Sequence, residues 1–141
     1  MKLLDVNVWL AASWARHRHH EVAKQWVDQQ EDALAFCRVT HMALLRLMTN
    51  PAVTGRDALS RRQAWDAVDQ LMTDSRVRFL PEPEALLPLW KALSKKDDRN
   101  HLLWTDDYLA AFAQAIDAEL VTLDSVFRTR YVAVRVVDLL Q

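Results

Sequence analysis

The stretch that decides the fold of this chain is KLLDVNVWL, residues 2–10. Its first part is a short apolar run that ends in polar side chains, which is typical of a buried strand. The apolar residues from Val8 onward predict a short helix directly after that strand. Asp5 and Asn7 interrupt the run, and it is too short to cross a bilayer, so we expect neither a signal peptide nor a membrane-spanning segment. The stretch therefore predicts a strand and a helix inside a folded domain.

Short apolar runs and amphipathic segments alternate along the rest of the chain. We predict strands over 33–39, 76–80, 119–123 and 132–137. We predict helices over 19–30 and 84–93, after the N-caps Thr40, Ser60 and Thr105, and between the last two strands. Such alternation is typical of a parallel sheet with helices on both faces. The sequence thus predicts an α/β fold, a three-layer α/β/α sandwich with a central parallel sheet of four to five strands, as a single domain over residues 1–141.

The composition excludes several classes of function. Gly55 is the only glycine among 141 residues, whereas a P-loop or a dinucleotide-binding loop needs several. Cys37 is the only cysteine, which excludes a disulfide framework and any CxxC site and fits a reducing, cytoplasmic compartment. The formal net charge of −1 gives no overall attraction for nucleic acid. Any contact with nucleic acid must therefore depend on local groups.

Acidic residues follow two of the predicted strands and open one of the helices. Asp5 ends the first strand and Asp124 the fourth, while Asp106 and Asp107 lie in a first helical turn. Ligands of parallel α/β folds bind beyond the carboxyl ends of the strands. Converging carboxylates repel each other unless a cation joins them, and hard oxygen ligands suit Mg²⁺ or Mn²⁺. Each aspartate alone is more simply a turn residue or a cap, but together with Asn7 they favour a metal site whose substrate stays open.

Four motifs carry a resemblance to a known family. They are LDVNVWL (4–10), LLRLMTNP (44–51), TDDYLAA (105–111) and LVTLDSVF (120–127). They resemble, in this order, the D-x-N opening of PIN domains of the VapC toxin type, the L-L-R-L…T-N-P stretch of one VapC subgroup, the T-D-A-Y-L-A-A helix start and the L-x-T-x-D-x-x-F segment. Each match is weak alone, but together they cover the chain nearly end to end. The resemblance is therefore specific to the toxins of bacterial toxin–antitoxin pairs.

The resemblance implies a PIN-like sandwich, Mg²⁺- or Mn²⁺-dependent cleavage of RNA, a homodimer and neutralisation by a cognate antitoxin. Carried over by position, Asp5 and Asp106 would be the main metal ligands, and Asp124 a further carboxylate that binds directly or through water. Asn7 would orient Asp5 or a water molecule of the metal. Arg46 would hold an RNA phosphate or an antitoxin carboxylate, with a structural ion pair as the equal alternative.

One position departs from the family pattern. Many VapC toxins have a glutamate early in the third helix, where this chain has His41. A histidine could ligate Mn²⁺ better than Mg²⁺, bond to substrate, or simply lie partly exposed on the helix. Asp107 replaces a small residue and could restore the lost charge, but neighbours on a helix cannot both face one site. The alternative function is therefore a catalytically weakened PIN-fold module that acts mainly as an antitoxin partner.

A phosphoacceptor receiver domain is disfavoured, because no lysine follows Lys96.

Two further features are predicted to be structural. Five tryptophans lie on apolar helical faces, which favours packing over base stacking: Trp9, Trp26, Trp65, Trp90 and Trp104. The mixed-charge segment 95–99 is predicted to be a solvent-exposed loop.

Overall fold

Five short strands form the centre of the molecule, and the computed structural model describes all of residues 1–141. The strands are Lys2–Leu4 (β1), Leu34–Phe36 (β2), Val77–Phe79 (β3), Glu119–Thr122 (β4) and Val136–Asp138 (β5). All neighbouring strands are parallel, and their order across the sheet is β3-β2-β1-β4-β5. Strands β2 and β3 therefore lie on one side of β1, and β4 and β5 lie on the other. The boundary between β1 and β4 is therefore the point at which the strand order reverses.

Eight helices surround the sheet. They are Val6–Ser13 (α1), His20–Gln29 (α2), Arg38–Met48 (α3), Pro51–Thr54 (α4), Arg61–Met72 (α5), Leu86–Ser94 (α6), Trp104–Ala115 (α7) and Val126–Arg130 (α8). None of them is long and apolar enough to span a membrane.

The hydrophobic core is divided in two by the sheet. Leu3 and Leu120 point to one face, where they pack with buried residues of α6, α7 and α8. Leu4 and Val121 point to the other face and pack with α1, α3 and α5. This alternation follows from the period of two along a strand. The predicted α/β/α sandwich with a central parallel sheet is confirmed.

Two helices begin earlier than predicted. Helix α3 is capped by Cys37, and Thr40 is its third residue, whose side chain accepts a hydrogen bond from the Cys37 N–H (3.1 Å). Helix α7 begins at Trp104 after the cap residue Leu103, so Thr105 is already its second residue. The predicted N-caps Thr40 and Thr105 were therefore wrong, although Asp106 and Asp107 do lie in the first turn of α7.

The last strand and two tryptophans also differ from the prediction. Strand β5 begins at Val136, where pairing with β4 begins, and Val132 is 88% exposed. Trp9 is buried as predicted, but Trp65 is 50% and Trp104 58% exposed, so these two rings are packed only in part. The charged segment 95–99 is fully exposed, as predicted.

Candidate metal centre

The predicted carboxylates lie around the point at which the strand order reverses. Asp5 directly follows β1 and caps α1, where its Oδ1 accepts a hydrogen bond from the Val6 N–H at 2.7 Å. Asp124 follows the neighbouring strand β4 by two residues. Asp106 lies in the first turn of α7, which packs on the face of the sheet to which Leu3 and Leu120 point. Ligand sites of open parallel sheets occur at such a reversal of strand order.

Thr122 joins three of the predicted site residues, a role that the sequence analysis missed. The Thr122 hydroxyl donates to Oδ2 of Asp5 at 3.0 Å and accepts from the backbone N–H of Asp124 at 3.0 Å. Asn7 approaches the same hydroxyl with Nδ2 at 3.4 Å, and its Oδ1 accepts from the Leu123 N–H at 3.2 Å. Asn7 therefore ties the start of α1 to the end of β4, so that its contact with Asp5 is indirect. The only sequence signal for Thr122 was its place in the motif LVTLDSVF (120–127).

The carboxylates of the cluster influence one another electrostatically. Burial raises the pKa of Asp5 to about 6. The hydrogen bonds from Thr122 and Val6 oppose this shift, and the negative charges of Asp106 and Asp124 add to it. Burial also raises the pKa of Asp106, with Asp124 and Asp107 adding to the effect and Arg130 opposing it. Unbalanced negative charge of this kind, at a site that is partly shielded from water, attracts a cation.

The end of α8 contributes two residues that the sequence analysis did not single out. Arg130 lies 3.5 Å from Asp106, and the Tyr131 hydroxyl donates a hydrogen bond to buried Asp107. Asp107 and Asp106 therefore have different surroundings. Asp107 is buried and hydrogen-bonded to Tyr131, whereas Asp106 is half-buried and faces the Arg130 guanidinium. This geometry favours Asp106 over Asp107 as the residue open to a metal.

The structure does not bring His41 to the carboxylates. Its ring lies among Phe36, Trp65 and Phe79, with ring centroids 5.5 to 6.0 Å apart, and Nδ1 is 3.1 Å from the Arg38 guanidinium. Burial and the positive charge of Arg38 lower the pKa of His41, with Asp69 opposing them. These contacts give His41 a packing role beside α5, and its contact with a metal or a substrate stays a prediction.

Arg46 also lies away from the cluster. It is in the last turn of α3, eight residues from the start of the helix, which corresponds to roughly 12 Å along the axis. There it borders a surface groove with Met42 and Trp65, and it forms none of the ion pairs of the molecule. The structural ion pair is therefore not formed, and a contact of Arg46 with an RNA phosphate or an antitoxin carboxylate stays a prediction.

The donor set suits a hard divalent cation. Each oxygen of Asp5 accepts one hydrogen bond and retains a lone pair, and Asp106 has only the long contact with Arg130. No three His, Cys, Asp or Glu side chains lie close enough together to enclose an ion by themselves. Mg²⁺ does not need such a cage, because it retains several water ligands and uses one or two carboxylates. The residues present therefore fit Mg²⁺ or Mn²⁺ bound partly through water.

Fold and site together define a parallel α/β sandwich protein with an acidic cluster where the strand order reverses. A family model described as "PIN domain" matches residues 2–132. Ribonuclease VapC41 of Mycobacterium tuberculosis is 38% identical over 137 residues, which cover 93% of both chains. The chain therefore belongs to the PIN domain family and, within it, to the VapC ribonucleases.

Two solved structures show the same fold. The toxin VapC20 of Mycobacterium tuberculosis, described as cleaving the sarcin–ricin loop, aligns with a TM-score of 0.70 at 19% identity over 96% of this chain and 99% of the other. A chain of a toxin–antitoxin complex from Klebsiella pneumoniae aligns with a TM-score of 0.65 at 16% identity over 99% and 98% of the two chains. At these identities the likeness concerns the arrangement of the backbone.

Proposed function

We propose that this VapC-type ribonuclease is a metal-dependent endoribonuclease toxin that hydrolyses RNA phosphodiester bonds at Asp5, Asp106 and Asp124. The observation that carries the proposal is geometric: Asp5 and Asp124 follow the neighbouring strands β1 and β4 and are joined through the Thr122 hydroxyl, and the charges of Asp106 and Asp124 help to raise the pKa of buried Asp5. Asp5 also caps α1 and Asp106 also contacts Arg130, but neither contact explains why three like charges from separate elements lie where the strand order reverses. A divalent cation would explain it.

The residues of the chain would divide the work. Asp5 and Asp106 would hold Mg²⁺ or Mn²⁺, and Asp124 would bind it through water or directly. The metal would activate water for in-line attack on the phosphodiester and neutralise the developing charge. Thr122 keeps Asp5 in place and Asn7 fixes the end of β4, so that both act by positioning. Arg130, which faces Asp106, is placed to attract an RNA phosphate. Cleavage of this kind leaves 5′-phosphate and 3′-hydroxyl ends.

A pair of isosteric variants tests the assignment. We expect Asp106→Asn to slow cleavage of a fluorogenic RNA at least about 100-fold, because it removes a proposed ligand, and to relieve growth arrest on expression. Asp117→Asn is the matched control, since Asp117 is exposed and its positive φ suits asparagine equally well. We expect the control to cleave like the wild type. An Asp106→Asn protein that is folded and still cuts RNA at the wild-type rate would contradict the proposed site.

We further propose that a cognate antitoxin neutralises the protein, as in the toxin–antitoxin complexes that share its fold, and that it acts as a homodimer in the cytoplasm.

The alternative is a weakened PIN-fold module that serves mainly to bind the antitoxin. His41 favours this alternative, because it replaces a family carboxylate and lies among aromatic rings. Metal binding separates the two possibilities, since the weakened module would not be stabilised by Mn²⁺.

A further inference from the structure

A polar cavity of about 460 Å³ opens beside the carboxylate cluster, between the end of α6 and the start of α7. The loop 96–103 and Trp104 form one part of its wall, and Asp107 and Arg130 form another. Arg130 is the same residue that lies 3.5 Å from Asp106. The cavity therefore adjoins the proposed catalytic site through Arg130.

The wall carries more positive than negative side chains, with Lys96, Arg99 and Arg130 against Asp98 and Asp107. Lys96 and Arg99 are both exposed, and neither takes part in any of the seven ion pairs of the molecule. Asp98 and Asp107 keep their negative charge, because their hydrogen-bond donors, the Asn100 N–H (3.0 Å) and the Tyr131 hydroxyl, are neutral, but neither carboxylate forms an ion pair with Lys96 or Arg99. Two free cations thus line a cavity in a chain whose overall net charge is −1.

An exposed aromatic ring lies at the edge of the same cavity. Trp104 is the first residue of α7 and is 58% exposed. Trp90 supports it from behind, because the Trp90 Nε1–H donates to the Trp104 carbonyl at 3.2 Å and the two rings meet edge to face at 6.2 Å. A supported ring with an open face is the platform on which nucleic-acid bases stack, whatever their sequence.

We propose that this cavity binds an RNA nucleotide next to the cleaved bond, with Lys96 and Arg99 on a backbone phosphate and Trp104 stacked on a base. The inference rests on the proposed ribonuclease function and adds a substrate subsite to it. An arginine can contact a phosphate through two parallel hydrogen bonds, and a lysine adds a point charge. The combination of free cations with an open aromatic face favours RNA over an acidic peptide, which would need the cations alone.

The test measures RNA binding separately from cleavage. Anisotropy of a short fluorescein-labelled single-stranded RNA of mixed sequence is followed in EDTA, so that no cleavage occurs. We expect the double variant K96Q/R99Q to bind about tenfold more weakly and with a shallower salt dependence. The control R56Q/R62Q removes two charges at other exposed positions and should change affinity less than about twofold. Trp104→Ala should weaken binding by roughly tenfold, and Trp104→Phe should retain most of it, because a ring is retained.

The remaining outcomes overturn the inference in distinguishable ways. A wild type that cleaves the RNA with Mn²⁺, while all of these variants bind it normally, would overturn the subsite alone. Equal losses in K96Q/R99Q and R56Q/R62Q would reduce the effect to overall charge and would also overturn it. Binding of an oligoglutamate peptide that is lost in K96Q/R99Q while RNA binding persists would assign the cavity to a protein partner. A wild type that neither binds nor cleaves RNA would overturn the ribonuclease proposal and the subsite with it.

Discussion

A single hydroxyl group organises the acidic cluster. Thr122 is completely buried, yet its oxygen takes part in hydrogen bonds with Asp5, Asn7 and the backbone of Asp124. A buried polar group with several partners fixes the geometry of all of them, because none can move without losing a bond in a region with little water. Thr122 is therefore a positioning residue, whose effect reaches the site through Asp5.

Thr122→Val tests this role with a side chain of nearly the same shape. We expect the pKa of Asp5 to rise further, since the Thr122 hydrogen bond lowers it in the native protein. Carbon-13 NMR of the Asp5 carboxyl in metal-free protein would measure this pKa. Loss of the hydroxyl should also cost about 1–3 kcal/mol of unfolding free energy. Thr122→Ser retains the hydroxyl and should leave the Asp5 titration unchanged. If Val and Ser give the same Asp5 pKa, the bond has no such effect.

Asp5 itself makes the stability of the metal-free protein depend on pH. Its pKa is about 6 in the folded protein and 3.8 in the reference state, so the folded chain binds more protons between these values. The unfolding free energy should therefore fall as pH rises from about 4 to 6, by up to about 3 kcal/mol. Asp5→Asn has no such carboxyl group. Its stability relative to the wild type should increase over this interval and stay constant above it, as measured by urea unfolding with EDTA at several pH values.

The control for this prediction is Asp117→Asn, whose carboxyl is exposed. Its stability difference from the wild type should stay flat over the same interval. A difference for Asp5→Asn that is the same at pH 4 and pH 8 would show that burial does not penalise the Asp5 charge.

Residues of the candidate site could be predicted only where they follow a recognisable strand or begin a recognisable helix. Asp5 and Asp124 follow apolar runs, and Asp106 and Asp107 open an amphipathic helix, so the patterns indicated these positions, while the choice of Asp106 over Asp107 came from the motif resemblance. Thr122 and Arg130 carry no such signal, because a threonine in a strand and an arginine in a short helix are ordinary there. Their importance comes from pairing β4 with β1 and from folding α8 back towards α7, which the local pattern does not contain.

At the scale of elements, α8 is fixed to the start of α7 by the residues at its end. It has five residues and could not persist alone. Phe127 buries its side chain in the core, and Tyr131 donates to Asp107 from the residue that follows the helix. These contacts also hold Arg130 near Asp106, so the position of α8 sets the charge around the site.

Two tyrosine variants compare a buried acceptor with an exposed one. Tyr131→Phe leaves the buried Asp107 carboxylate without its side-chain donor and should lower the unfolding free energy by about 1–3 kcal/mol. Tyr108→Phe removes a hydrogen bond to Glu82, which is exposed and can bond to water instead, so that it should cost less than about 1 kcal/mol. Urea unfolding of both variants at neutral pH measures the difference. Equal losses of unfolding free energy would show that burial of Asp107 does not increase the cost of removing its hydrogen-bond donor.

The order and type of the elements were predictable, whereas several boundaries were not. The apolar run 33–39 continues through Cys37 and Val39 because the end of β2 and the start of α3 are both packed in the core, so apolar character does not mark the junction. The run from Val132 is apolar before it is a strand: Val132 is exposed and Val134 is buried, but strand pairing with β4 begins only at Val136. Where a strand begins is decided by its neighbour in the sheet, and a single sequence does not name that neighbour.

For the molecule as a whole, the clearest consequence of an acidic site is linkage between metal binding and folding. A cation that binds only the folded state stabilises it by about 2.7 kcal/mol at one hundred times its dissociation constant. For a domain of this size, that corresponds to a Tm increase of roughly 8 °C. We expect Mn²⁺ to produce such an increase in the wild type, EDTA to reverse it, and Asp106→Asn to lose most of it, while Asp117→Asn retains it. A wild type whose Tm does not respond to Mn²⁺ or Mg²⁺ would favour the weakened binding module, because the aspartates would then converge without holding an ion.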